Sequence, residues 1–170
     1  TLWRNQEIVK LGVENYSPYL FQKEVEDFIK REKNQPFFLY YATILPHANN
    51  ELNRKTGNGM EIPSNAPYTD ENWTIQQKNY AAMVSLIDEQ VGKINKLLKE
   101  LKLDKNTIVI FMSDNGPQGK VEGSYDQTLF QSNMGLRGIK RDLYEGGIRS
   151  PFIAQWNGKI KPNKEVATAW

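Results

Sequence analysis

Apolar positions recur along this chain in two rhythms. Between Thr74 and Leu101 the residues Tyr80, Met83, Val84, Ile87, Val91, Ile94, Leu98 and Leu101 fall at spacings of three and four, which predicts one long amphipathic helix. A shorter stripe, Leu20, Phe21, Val25, Phe28 and Ile29, predicts a helix over Tyr19–Lys33. Ser17 is placed to cap it, Pro18 to occupy its first position, and Asn34-Gln35-Pro36 to end it. Three other runs, Phe37–Ile44, Thr107–Met112 and Pro151–Trp156, are short and apolar without a helical period, and they predict buried strands. Residues Thr1–Val13 mix polar and β-branched types and predict a short strand or hairpin. Strand, helix, strand is the order of a βαβ unit, so the expected fold class is α/β, a mostly parallel sheet flanked by helices.

The polar stretches between these elements carry most of the candidate chemistry. Ala48–Asp70, rich in Asn, Gly, Pro and Ser, reads as a long ordered loop near a site. Asp104-Lys105-Asn106 turns the chain between helix and strand, Gly116–Gln131 reads as a glycine-bearing loop, and Gly135–Arg149 sets glycines near charged residues. No internal repeat is visible.

Composition narrows the function classes. A chain of 170 residues with 39% hydrophobic and 25% charged residues has the make-up of about one globular domain. A formal charge of +2 is too close to neutral to argue for nucleic acid or an anionic membrane as partner. The longest apolar run, Phe37–Ala42, is far short of the roughly 20 residues a membrane span needs. There is no cysteine, hence no disulfide, thiolate metal site or thiol nucleophile, and the compartment cannot be read from that absence. No signal peptide is visible, and the chain opens on Thr1 and stops on Trp170 without a terminating pattern, which leads us to expect a segment excised from a longer protein.

Three groups of residues stand at strand ends, where ligands gather in open α/β sheets. Ser113-Asp114-Asn115-Gly116 follows the run Thr107–Met112 and offers carboxylate and amide oxygens, hard donors that suit calcium or magnesium. The same residue types also make ordinary turns. His47, the only histidine, follows Phe37–Ile44 and could bind an anion or protonate a leaving alcohol, or could be a loop residue without a task. Arg137, Lys140, Arg141 and Arg149 surround a glycine-bearing segment, as an oxyanion pocket would need or as a solvated basic loop would show. The stripe on Thr74–Leu101 reads as core, and Asp88 within it as a helix-surface carboxylate.

Taken together these motifs resemble one family, the type I, formylglycine-dependent sulfatases of the alkaline phosphatase superfamily. Pro36-Phe37-Phe38-Leu39-Tyr40-Tyr41-Ala42 with Pro46-His47 resembles the family's strand and histidine. Tyr80-Ala81-Ala82-Met83-Val84 through Asp88 and Val91-Gly92 resembles its long helix. Phe111-Met112-Ser113-Asp114-Asn115-Gly116 resembles its metal-binding strand end. Leu136-Arg137-Gly138-Ile139-Lys140 with Tyr144-Glu145-Gly146-Gly147-Ile148-Arg149 resembles its anion-binding lysine segment.

The resemblance implies that residues 1–170 are the central segment of a single sulfatase catalytic domain, truncated at both ends. It implies that the parent hydrolyses a sulfate ester on a carbohydrate or aryl compound. Asp114 and Asn115 would ligate calcium, with magnesium the alternative. His47 would protonate the departing alcohol, and Lys140 would neutralise sulfate and leaving-group charge. Expected partners are a sulfated small molecule or glycan, with neither nucleic acid nor membrane, and a second copy of the chain where truncation exposes surface. The expected location is periplasmic, secreted or lysosomal.

Two departures matter. The family's nucleophile is a formylglycine made within a Cys/Ser-x-Pro-x-Arg motif, and no such motif occurs here. The family's first pair of metal-binding aspartates is also missing. The isolated chain is therefore expected to be inactive. Other readings are a phosphatase or phosphodiesterase of the same superfamily, disfavoured by the single histidine, and a non-catalytic sulfatase-like binding module. Trp156-Asn157-Gly158 in place of Trp-Pro-Gly, and Ser150 where Val or Glu is common, are peripheral changes.

Overall fold

The structure is a computed structural model that describes residues 2–12, 15–119 and 127–166. It opens with a hairpin in which β1 (Leu2–Arg4) pairs antiparallel with β2 (Glu7–Val9), Trp3 opposite Ile8. Asn5 takes the left-handed backbone at the turn (φ 55°), a conformation asparagine tolerates better than most side chains. The N-terminal stretch thus forms the expected hairpin.

Two helices carry most of the core. Helix α1 (Ser17–Glu32) starts earlier than expected: Tyr16 is its N-cap, without a side-chain cap bond, so Ser17 and Pro18 both lie inside the first turn. The seven-residue α2 (Asn50–Thr56) lies inside the stretch expected to be loop. The local signals for it are there: Asn49 Oδ1 accepts the Leu52 N–H at 3.0 Å, and Gly57 ends the helix at φ 73°. Helix α3 (Ile75–Glu100) matches expectation closely. It begins at a full capping box, the Gln77 N–H donating to Thr74 Oγ1 and the Thr74 N–H to Gln77 Oε1.

The buried face of α3 is rotated from the apolar stripe. Asn79, Ala82, Met83, Leu86, Gln90, Leu97 and Leu98 are buried, whereas Val84 is 43% exposed. Gln90 and Asn79 are buried because each meets a backbone carbonyl. Gln90 donates to Pro18 O at 3.0 Å, tying α3 to α1, and Asn79 donates to Met60 O at 2.7 Å. Core packing forms two clusters: Val25 and Ile29 of α1 with Leu97 and Leu98 of α3, and Leu45, Ala48 and Met60 with Met83 and Leu86.

The sheet departs from expectation. Strands β3 (Val109–Met112) and β4 (Phe152–Gln155) do pair, but antiparallel, Met112 opposite Phe152. A parallel return needs a crossover long enough to carry the chain back along the strand. The connection between β3 and β4 offers, among the described residues, only two one-turn helices, α4 (Gln127–Phe130) and α5 (Glu145–Ile148). It therefore leaves and re-enters the pair at the same edge. Phe37–Ile44 joins no ladder among the described residues. It keeps a strand's alternation all the same. Phe37, Leu39 and Tyr41 pack on the α1–α3 cluster, while Phe38 and Tyr40 are 88% and 79% exposed. Only one of its faces is covered, not the two a buried parallel strand would have. The expected mostly parallel sheet is thus not formed by the described residues.

Candidate active site

The connection from β3 to β4 begins and ends at one edge of the pair. Its first turn follows Met112 directly. Ser113 extends the ladder by one weak bond to Pro151 O (3.4 Å), and its hydroxyl closes onto Asn115 O at 3.0 Å. This turn leaves the Asp114 carboxylate exposed, with no hydrogen bond or ion pair among the described residues. The Asn115 side-chain amide donates to Gly116 O at 3.2 Å, which leaves its Oδ1 as the outward acceptor.

The same turn docks on the later part of the connection through main-chain bonds. Gly116 N–H donates to Gly147 O at 2.9 Å, and Lys140 N–H donates to Pro117 O at 2.8 Å. Glycine is required here for close approach. A Cβ on Gly116 would lie 1.9 Å from Gly146 O, and one on Gly146 would lie 2.1 Å from Gly138 O. The motif residues Asp114–Gly116, Gly138–Lys140 and Gly146-Gly147 thus form one interlocked unit. Asn133 braces its approach, donating to Leu136 O at 2.8 Å.

The cations around this unit are not equivalent. Arg137 is committed to Tyr144, with its guanidinium carbon 3.7 Å from the ring centre and Nη2 donating to the hydroxyl at 2.7 Å. Arg149 faces Glu145 of α5 at 4.0 Å. The half-buried Lys140 and the exposed Arg141, the latter at φ 82°, make no ion pair or side-chain hydrogen bond among the described residues. The residue types alone make one group of the four cations, and only the family resemblance singles out Lys140. The partners Tyr144 and Glu145 separate them, and Arg141 joins Lys140 as a charge without an ion pair among the described residues.

His47 sits on a different element. Leu45 and Ala48 on either side of it are 6% and 8% exposed, anchored in the cluster with Met60 and Met83, while the imidazole itself is exposed. The His47 N–H donates to Ile44 O at 3.0 Å, and Nδ1 lies 2.8 Å from Ala48 O. A carbonyl only accepts, so Nδ1 carries a proton and Nε2 is the nitrogen left for exchange with a ligand. Among the described residues no hydrogen bond or ion pair joins His47 to Asp114, Asn115 or Lys140. The link between the two parts is packing: Tyr80 and Phe130 lie against the cluster that holds Leu45 and Ala48, and Phe130 opens the segment that leads to Lys140.

The donor chemistry at Asp114 and Asn115 fits calcium in type but not in number. Two side-chain oxygens fall short of the roughly six to eight that calcium takes. No group of three or more His, Cys, Asp or Glu side chains among the described residues is placed to hold a metal ion.

Comparisons with known proteins identify the family. The sulfatase family model matches residues 2–169. An N-acetylgalactosamine-6-O-sulfatase of Bacteroides thetaiotaomicron is 30% identical over 98% of this chain, and the human N-acetylgalactosamine-6-sulfatase is 32% identical over 89% of it. Among solved structures, one described as Ps i-CgsB in complex with k-i-k-neocarrahexaose superposes with a TM-score of 0.67 at 29% identity. It covers 91% of this chain and 30% of its own. The putative sulfatase yidJ of Bacteroides fragilis follows at a TM-score of 0.60 and 26% identity, over 88% of this chain and 33% of its own. The chain belongs to the sulfatase family. It spans 29% of the length of the Bacteroides relative and 26% of the human one.

Proposed function

We propose that this chain is the central segment of a sulfatase catalytic domain and that the parent hydrolyses a sulfate ester on a glycan. The observation that supports this best is the interlock of the Asp114-Asn115 turn with the Lys140 loop through two main-chain bonds of 2.9 and 2.8 Å, the Asp114 carboxylate and the Lys140 ammonium making no ion pair among the described residues. A sulfate ester carries its charge on peripheral oxygens and develops more on the departing oxygen. Lys140 is suited to neutralise the first, and the Nε2 of His47 to deliver a proton to the second. Asp114 and Asn115 would hold calcium, or magnesium in its place. That ion, when bound, would draw charge from a sulfate oxygen.

The nucleophile, a formylglycine in this family, is not encoded in this sequence, which has no cysteine and no Ser-x-Pro-x-Arg motif. The relatives named as N-acetylgalactosamine-6-sulfatases and the neighbour in complex with k-i-k-neocarrahexaose support a sulfated sugar as substrate over an aryl sulfate. Among the described residues no helix is long and apolar enough to cross a membrane. A periplasmic, secreted or lysosomal location, and self-association through exposed apolar surface, belong to the same proposal.

The test is sulfate release from N-acetylgalactosamine-6-sulfate. The chain alone is expected to give none, because the groups left without a nucleophile only bind and polarise. In the complete catalytic domain, His47→Ala is expected to cut turnover by about 10²–10⁴-fold, the usual contribution of a general acid. Turnover unchanged by both His47→Ala and Lys140→Ala would refute these roles.

A further inference from the structure

Asparagine followed by glycine occurs three times in this chain, at Asn58-Gly59, Asn115-Gly116 and Asn157-Gly158. Such a pair carries its own nucleophile. The glycine main-chain nitrogen can attack the asparagine Cγ, and with no Cβ on the glycine little stands in its way. The fold treats the three pairs differently. At Asn115 the attacking nitrogen is engaged, since the Gly116 N–H donates to Gly147 O at 2.9 Å and Gly116 is buried in the interlock. At Asn58 the side chain is held, its Oδ1 accepting the Met60 N–H at 3.0 Å, and Gly59 is buried so closely that a Cβ there would lie 2.8 Å from Asn49 O. Asn157 and Gly158 are both exposed in the turn that follows β4, and the Gly158 N–H makes no hydrogen bond among the described residues. Gly158 sits there at φ 77°, and the Lys159 N–H closes the turn onto Trp156 O at 3.0 Å. A Pro-Gly pair suits such a turn equally well and has no side-chain amide to lose, so asparagine at this position is what brings the chemistry in.

We infer that Asn157 is a site of spontaneous deamidation, and that the interlock spares Asn115, the candidate metal ligand, from the same reaction. The Gly158 nitrogen gives up its proton to solvent and bonds to Asn157 Cγ. The Cγ–Nδ2 bond breaks, and the side-chain nitrogen leaves as ammonia. Water then adds to the cyclic imide and opens it to aspartate, or to isoaspartate with the side-chain carbon carried into the main chain. The change matters because of what Nδ2 holds. It donates to Asp104 Oδ2 at 2.6 Å and ties the end of β4 to the turn between α3 and β3. A carboxylate has no proton to donate, and two carboxylates so close repel. The bond from Trp156 Nε1–H to Lys105 O, 3.0 Å long, joins the same two segments and reports their separation.

The experiment ages the chain in warm, mildly alkaline buffer and follows the three pairs by peptide mass mapping and an isoaspartate assay. Asn157 is expected to convert at least about fivefold faster than Asn115, the factor that one main-chain hydrogen bond is worth. The Trp156 indole N–H resonance should move in step with that conversion. Asn157→Gln, whose longer side chain closes an imide poorly, should remove both signals. In urea the three rates should draw together. In Gly146→Ala, which disturbs the interlock, Asn115 should speed up while Asn157 does not. Asn115 or Asn58 converting as fast as Asn157 in the folded chain overturns the inference. So does an order of rates that persists in urea, because the neighbouring residues and not the fold would then set it. An Asn115 rate unchanged by Gly146→Ala overturns the protection, and a Trp156 resonance unmoved after conversion overturns the link to Asp104.

Discussion

His47 and Lys140 are held in place by opposite means. Around His47 the fixing is done by side chains: Leu45 and Ala48 sink into a cluster with Met60, Met83 and Leu86, and the histidine rides between them. Around Lys140 it is done by main chain. Gly116, Gly146 and Gly147 each lie against backbone, with no room for a Cβ at the contacts. The difference teaches where each half is vulnerable. A packed cluster accepts a side chain of similar volume and punishes a deleted one. A glycine interlock is indifferent to volume elsewhere and fails on one added methyl. The interlock also has little apolar burial behind it, since the ten buried hydrophobic residues among the described residues lie between Val25 and Leu98. The Lys140 half is therefore the part expected to open first.

The comparison breaks most severely at Met83, 2% exposed at the centre of the His47 cluster. Met83→Ala should cost about 2–5 kcal/mol of global stability. Urea unfolding would read it, and Met83→Leu should recover most of the loss. Next comes Gly146→Ala, whose new Cβ would lie 2.1 Å from Gly138 O. It should lower hydrogen-exchange protection of the Gly116 and Lys140 amides by at least about tenfold, roughly 1.4 kcal/mol of local opening, while the urea midpoint moves less than for Met83→Ala. Equal global loss from both variants would mean that the two halves unfold as one unit. The smallest effect belongs to the start of α3. Thr74→Ala removes the capping box and should cost about 1 kcal/mol, with Thr74→Ser restoring it.

What was legible in the sequence follows the same division. Long periodic elements could be read: α3 runs Ile75–Glu100 with Thr74 and Leu101 as its caps, because many apolar positions agree on one period. Its buried face could not be read as well, since Gln90 and Asn79 are drawn inward by carbonyls that only tertiary contact supplies. Pairing direction was hidden too. The apolar runs at Thr107–Met112 and Pro151–Trp156 marked two strands, but only the geometry of the connection makes them antiparallel. Phe37–Ile44 shows the limit most clearly, for its residues alternate as a strand should, yet a ladder needs a second backbone. Within the candidate site, Asp114 and Asn115 were visible as residue types at a strand end, and Lys140 was singled out from its neighbouring cations only by the family resemblance. That Arg137 is consumed by Tyr144 was not, because a cation's partner seven residues away is a matter of loop shape.

The central claim is that the Asp114-Asn115 turn and the Lys140 loop are one site. Calcium titration of the labelled chain, followed at each backbone amide, tests it most directly. Binding should be weak, on the order of millimolar, since two side chains supply only part of a calcium shell. The amides of Asp114, Asn115 and Gly116 should shift along one isotherm. Lys140 and Gly147 should follow it through the bonds that join the Lys140 N–H to Pro117 and the Gly116 N–H to Gly147. Asp114→Ala should abolish all of these shifts together. Shifts confined to the turn while Lys140 and Gly147 stay fixed, or an unchanged response in Asp114→Ala, would contradict the claim.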